Sequence, residues 1–251
     1  MDTKELPAHP SLEQYKKQAK DLLKSSKSGH REALQLTLQR IKKDHPRFGR
    51  LADLELQGTK LALADAQLVI AREHGFESWP RFAKHIEGLT RQNSPVSRFE
   101  SAVDAIVTGD VAKLNKLLGE DPELVRERST FLHHATLLHY VGANGVENYR
   151  QKTPKNAVQV AEVLLRAGAD VNAVADIYGG CDTLGLAATS VFPFLTGVQD
   201  ALIDILLEYG ANLHPNPRLN RVTTARSLCS WLPQARPWIP RCPPIPAAEV
   251  C

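Results

Sequence analysis

Residues 157–173 read AVQVAEVLLRAGADVNA. Val160, Val163, Leu164 and Leu165 recur at helical spacing. The run stops at Gly168 and passes straight into a polar turn, Ala169-Asp170-Val171-Asn172. A glycine just past the last apolar residue closes a helix in the left-handed conformation, where any other residue carries a Cβ penalty. A near-copy stands at 200–214, DALIDILLEYGANLH, with Leu206-Leu207 before Gly210. A weaker copy stands at 110–121, DVAKLNKLLGED, with Leu117-Leu118 before Gly119. Three copies of one helix-and-stop unit are a repeat signal, and repeats take precedence over other readings of a fold.

Upstream of these runs, Phe99, Ala102, Ala105 and Ile106 mark a helix ending at Gly109, with Val111 to Leu118 as its antiparallel partner. Upstream, four short amphipathic helices are predicted. Ser11 and Gln14 read as a capping box ahead of Leu12, Tyr15, Ala19, Leu22 and Leu23. The second runs from about His30 to Lys43 on Leu34, Leu38 and Ile41. The third covers Leu63 to His74 and stops at Gly75, and the fourth starts at Ser78 with Pro80 in its first turn. Phe48 to Lys60 is less regular and reads as loop or short helix.

Bulk properties agree with a globular chain. Apolar residues make up 43% and charged residues 24% of 251 positions, and the few long β-branched runs argue against an all-β fold. The net charge of +3 divides into +5 over 1–94, −6 over 95–214 and +4 over 215–251. These sign changes mark the expected organisation: a four-helix leader at 1–94, a repeat domain at 95–214 and a tail at 215–251. That tail holds half of the 16 prolines and three of the four cysteines, with no apolar period, so it is expected to be disordered or out of frame. The start, MDTKELPAHP, has no apolar core, so no secretory signal is expected, and the uncharged stretch 183–199 is too short and polar to span a bilayer. A cytoplasmic protein without membrane contact is the expectation.

The second unit opens with Ala135-Thr136-Leu137-Leu138-His139 and the third with Asp182-Thr183-Leu184-Gly185-Leu186-Ala187-Ala188. With the closing runs Leu164 to Ala173 and Leu206 to Asn212, they resemble the ankyrin repeat family. Its units open with a Thr-Pro-Leu-His-like tetrad and close with Leu-Leu-x-x-Gly-Ala-Asp/Asn. Thr136 and His139 match the first and fourth tetrad positions, while Leu137 and Leu184 replace the proline and Leu186 the histidine. The leucine pairs at 117, 164 and 206 fall 47 and 42 residues apart, against a usual period of about 33. The extra length lies in insertions at 142–156 and 190–196, in matching places of the second and third units. Residues 1–90 also resemble a leader found ahead of such repeats in bacterial proteins. The resemblance implies an all-α fold: a short solenoid of three irregular helix-pair units, about 97–130, 131–176 and 177–214, behind a small helical domain. Leu117, Leu118, Leu164, Leu165, Leu206 and Leu207 should share its core.

Candidate chemistry is sparse. His133, His134 and His139 cluster without HExxH spacing, and in the family His139 has a structural use, so no metal site is expected. Cys181-Asp182 reads as a turn rather than a nucleophile, and no Gly-rich phosphate loop is present. The helix-turn-helix reading of Gln67 to Leu89 meets a second helix that opens with Trp79-Pro80 and offers only Arg81, Lys84 and His85. No catalytic residue, cofactor, metal or small-molecule substrate is expected, and nucleic acid is not the expected partner. The function implied is a non-enzymatic scaffold that binds another protein through hairpin tips and a helix face. The alternative is a DNA-associated regulator using the basic leader. Candidate partner-binding residues are Asp170, Asn172, Asp176 and Tyr178 at a tip, with Tyr149, Arg150, Phe192 and Phe194 on the insertions.

Overall fold

The computed structural model describes residues 3–27 and 31–212. Among them the chain is all helical, with no strand and one isolated antiparallel bridge between Ala175 and Cys181. They belong to one compact unit, Met1–Asn212. The tail expected at 215–251 lies outside the described residues.

Five helices form the leader: α1 (Leu12–Ser25), α2 (Arg31–Asp44), α3 (Asp53–Gly58), α4 (Leu63–Glu73) and α5 (Trp79–Thr90). α4 is the centre, because α1, α2 and α5 all pack on it and Val69, Ile70 and Ala71 are wholly buried there. Gly75 stops it at a φ of 81°, the Phe76 N–H donates to Ala71 O at 3.0 Å, and the Phe76 ring is buried against Phe82. The irregular stretch after Phe48 contributes the short α3. Ser11 starts α1 but makes no side-chain capping bond, so the expected capping box does not form. Buried Glu73 is held by Arg40 and Lys4, both at 2.8 Å. Burial pushes its carboxyl up, but the two cations outweigh it and leave it below the usual carboxylate range.

The remaining elements are α6 (Pro95–Thr108), α7 (Val111–Glu120), α8 (Ala157–Arg166), α9 (Thr183–Thr189), α10 (Val191–Thr196) and α11 (Gln199–Glu208). A 3-10 helix, Leu137–Gly142, stands where the first helix of the second unit is expected. It packs on α6 and α9, while α8 packs on α7 and α11, so three helix pairs lie in succession. The 3-10 segment ends after two turns because Ala143 takes a left-handed φ of 47°. Its Gly142 leaves no room for a side chain, since a Cβ there would meet Leu186 Cβ at 2.8 Å.

The stop signals fare unequally. After α8, Gly168 has a φ of 92°, with Ala169 N–H donating to Leu164 O and Gly168 N–H to Leu165 O, both at 3.0 Å. Gly210 closes α11 with the same pair of bonds, at 2.9 Å each. This pair of hydrogen bonds satisfies two of the terminal carbonyls of each helix. Gly119 is different: α7 runs through it to Glu120, and the residue after the true stop, Gly109, is what joins α6 to α7. Leu118, Leu164, Leu165 and Leu206 are buried as expected. Leu117 and Leu207 are only half-buried; the buried positions of α7 are Leu114 and Leu118, one turn apart on the same side.

The expected loop at 190–196 is the helix α10. Ser190 accepts a bond from Phe192 N–H, Pro193 sits in the first turn where its missing N–H is not needed, and Gly197 ends it at a φ of 76°.

Candidate interaction surface

Two hairpins project between the helix pairs. The second, 167–182, begins with the Gly168 stop. Asp170 Oδ1 accepts Asn172 N–H at 3.0 Å, and Ala175 and Cys181 exchange N–H···O bonds of 3.0 and 3.1 Å. Gly180 N–H donates to Ile177 O at 2.9 Å, closing a tight turn with Tyr178 and Gly179 in the middle. Both central residues have positive φ, 51° and 86°, the pattern that suits hairpin twist and favours Asn or Gly. Tyrosine in that first position is uncommon. Its ring is 69% exposed and its hydroxyl donates to Asn144 Oδ1 at 2.9 Å.

The first hairpin closes with Ser129 N–H donating to Ala135 O at 2.8 Å, and its turn residue His134 is also left-handed, at 47°. The two tips are tied together. Arg128 Nη1 donates to His134 O at 2.9 Å and Val174 O at 2.8 Å, and Asp176 N–H donates to His133 O at 2.7 Å. Arg81 Nη1 lies 3.3 Å from His134 Nε2, and His134 Nδ1 lies 2.8 Å from Asp176 Oδ2. Because a guanidinium can only donate, Nε2 accepts and Nδ1 carries the proton given to Asp176. A polar chain thus runs from α5 over one tip to the next.

Beneath the tips lies a sealed ionic cluster. His133 Nδ1 accepts Ala135 N–H, so its Nε2–H faces Glu147 Oε2, 3.5 Å away. Glu147 also approaches the Tyr140 hydroxyl at 3.4 Å and Arg150 at 3.6 Å. Arg150 in turn donates to Glu100 and, at 3.0 Å, to Asp104. Burial pushes Glu147 up, yet His133 and Arg150 outweigh it and hold it low; burial prevails at Glu100, pushed up to about 7. With His133 and Glu147 fully buried, no substrate reaches this group, and its geometry anchors the 142–156 insertion to α6. His139 Nδ1 accepts Thr136 N–H at 3.1 Å, a bond within the start of its own helix. Among the described residues no group of three His, Cys, Asp or Glu could hold a metal ion, and no helix is long and apolar enough to cross a membrane.

The eight candidate residues therefore have different settings. Asp170, Asp176 and Tyr178 stand exposed on the second tip. Asn172 shares that tip, but its side chain bonds Gly210 O at 3.0 Å and Asn212 N–H at 2.8 Å. Arg150 is 11% exposed, with its guanidinium engaged in the buried cluster and 5.6 Å from the Tyr149 ring centroid. Phe192 is half-buried and Phe194 is exposed on α10, away from the tip residues in sequence. Sequence reading missed exposed Val174 beside the tip and the pinning role of Arg128. It also missed Phe131, whose ring lies 4.6 Å from Phe76 and 5.3 Å from His85 in the leader core. A period-based signal exists for none of these three; each depends on where a loop is carried.

Compared with models of protein families, with curated proteins and with solved structures, the chain gives no match.

Proposed function

We propose that this chain is a non-enzymatic protein-interaction scaffold of ankyrin type, presenting its hairpin tips to a protein partner. The observation that carries the reading is the second tip. Tyr178 is held exposed in a strained turn while Arg128, His134 and Asn144 fix the backbone and hydroxyl around it. Strain kept at an exposed aromatic is characteristic of a preorganised contact residue rather than of a packing residue. Three successive helix pairs, the Thr136–His139 bond and the Gly168 and Gly210 stops support the family resemblance. The −6 charge over 95–214 suits a partner with a basic patch. The DNA-regulator alternative gains nothing from α5, whose Phe82, His85 and Ile86 are buried in the leader.

The test is capture from a cell extract on the immobilised full chain, with Tyr178→Ala and Asp176→Lys alongside. A partner retained by the parent and lost by both variants, at unchanged melting temperature, is the expected outcome. A protein set identical for parent and variants rejects the tip assignment, and duplex DNA retained with a steep salt dependence favours the regulator.

A further inference from the structure

The helix α10 carries an apolar stripe that faces outward. Val191, Phe194 and Leu195 are 50%, 53% and 74% exposed, and their i, i+3, i+4 spacing puts them on one face. The helix is not loose. Pro193 is buried, Thr196 Oγ1 donates to Phe192 O at 2.9 Å, and Gln199 Nε2 bonds the Ala187 carbonyl at 2.9 Å just before the helix. Three large side chains in solvent on a fixed helix form a preformed apolar contact face.

Its neighbourhood has a charge sign. Thr196 Oγ1 also reaches Thr153 O at 3.4 Å, bringing the segment Lys152-Thr153-Pro154-Lys155 against the end of α10. Lys152 and Lys155 are exposed, and neither has an ion-pair partner among the described residues. By contrast, the guanidinium of Arg150, two positions earlier, is engaged by Glu100 and Asp104. The local edge is therefore cationic within a zone of net −6.

We infer that the α10 face is a second interaction surface, distinct from the tips, which takes a short acidic peptide segment bearing large apolar side chains. The apolar groups cover Val191, Phe194 and Leu195, and the carboxylates pair with Lys152 and Lys155. A bilayer fits less well. Its anionic plane faces the whole negative zone, and one and a half helical turns give little area to insert. A peptide meets only the cationic edge. The chain then has two separate contact faces, the tips and the lysine-edged α10.

The experiment pans a random peptide display library against the immobilised full chain and measures enriched peptides by fluorescence anisotropy. Leu195→Ser, Phe194→Ser and the double charge reversal Lys152→Glu/Lys155→Glu are tested beside the parent. All four positions are exposed, so their melts should match the parent. The inference expects enriched peptides combining carboxylates with large apolar residues. Affinity should fall about tenfold or more in either serine variant, weaken with salt, and shift toward basic peptides on charge reversal. Peptides without acidic excess, or bound equally by the serine variants, overturn it. So does an absence of enrichment. Leu195-dependent self-association in sedimentation, or Leu195-dependent binding to phosphatidylserine vesicles, replaces the peptide with a second copy or a membrane and equally overturns it.

Discussion

At the residue scale, glycines that look alike in sequence carry different loads. Gly168 and Gly109 are both left-handed, at φ 92° and 76°. A Cβ on Gly168 meets nothing within 4 Å, whereas on Gly109 it lies 2.2 Å from Asn156 Oδ1. Gly168→Ala should therefore cost only the left-handed strain, about 1–2 kcal/mol. Gly109→Ala should add the loss of the Asn156 Nδ2 bond to Gly109 O, at least about 1 kcal/mol more. Equal losses in urea titrations of the two variants would contradict this assignment. The buried titrating groups set a second expectation. Burial raises Glu100 from 4.5 to about 7 against the pull of Arg150, so its stability contribution is complete below 4.5 and is lost as pH rises through 7. Burial lowers His85 and His139 from 6.5 to about 4, so theirs is complete above 6.5 and is lost as pH falls through 4. Two histidines outweigh one glutamate on the acid side, which places maximum stability near pH 6.5, with a shallow fall from there to 7. Glu100→Gln should abolish the decline between about 4.5 and 7 and so steepen the acid limb set by His85 and His139; a denaturation series across pH reads both.

At the element scale, joints between helices matter more than the helices alone. Phe131 belongs to the first hairpin yet packs against Phe76 and His85, and Leu132 N–H donates to Gly75 O at 2.8 Å. Phe131→Ala should cost about 3–5 kcal/mol, and amide exchange should quicken in α4 and α5 rather than in α11. Leu164→Ala, fully buried between α7 and α11, should cost about 2–5 kcal/mol with the opposite pattern, leaving α4 slow. Shared patterns would mean that the two sites report one undivided core. The contrast also explains what sequence could reveal. Leu164, Ile70 and Phe82 repeat at helical spacing, and Gly75, Gly168 and Gly210 end their helices, so the helices were readable. Phe131 sits in a stretch without period, and its burial depends on a fold carrying residue 131 back to residue 76. Gly119 misled because a glycine is a stop only where the backbone turns left-handed, and here α7 continues to Glu120. In α10 the two phenylalanines were visible as loop aromatics, but Val191 and Leu195 join them only once the helix exists. The exposed tip residues were legible through the family resemblance; the pins holding them, Arg128 and Asn144, were not, since each contacts a residue at least 34 positions away.

At the scale of the whole molecule, the proposed scaffold works only if its tips hold still relative to the helices that support them. Arg128 is the strongest pin, because one guanidinium bonds carbonyls of both hairpins, His134 O and Val174 O. Both partners are main-chain groups, so the contact fixes backbone position instead of merely pairing charges. Bonds from a charged donor are individually worth about 1.5–3 kcal/mol, but Arg128 is exposed and water replaces part of that when it is removed. Leu138, Val160 and Leu164, by contrast, are fully buried. Arg128→Ala should thus lower the melting temperature only slightly while freeing the second tip. Amide exchange at Ala175 and Cys181, whose paired bonds close that hairpin, should accelerate, and exchange in α8 should not. Under the scaffold reading the same variant weakens partner retention even though Tyr178 and Asp176 are unchanged, because the tip must then be ordered during binding. Unchanged exchange at Ala175 and Cys181 would show that the Asp176 N–H bond to His133 O suffices to hold the tip and that Arg128 is dispensable for it.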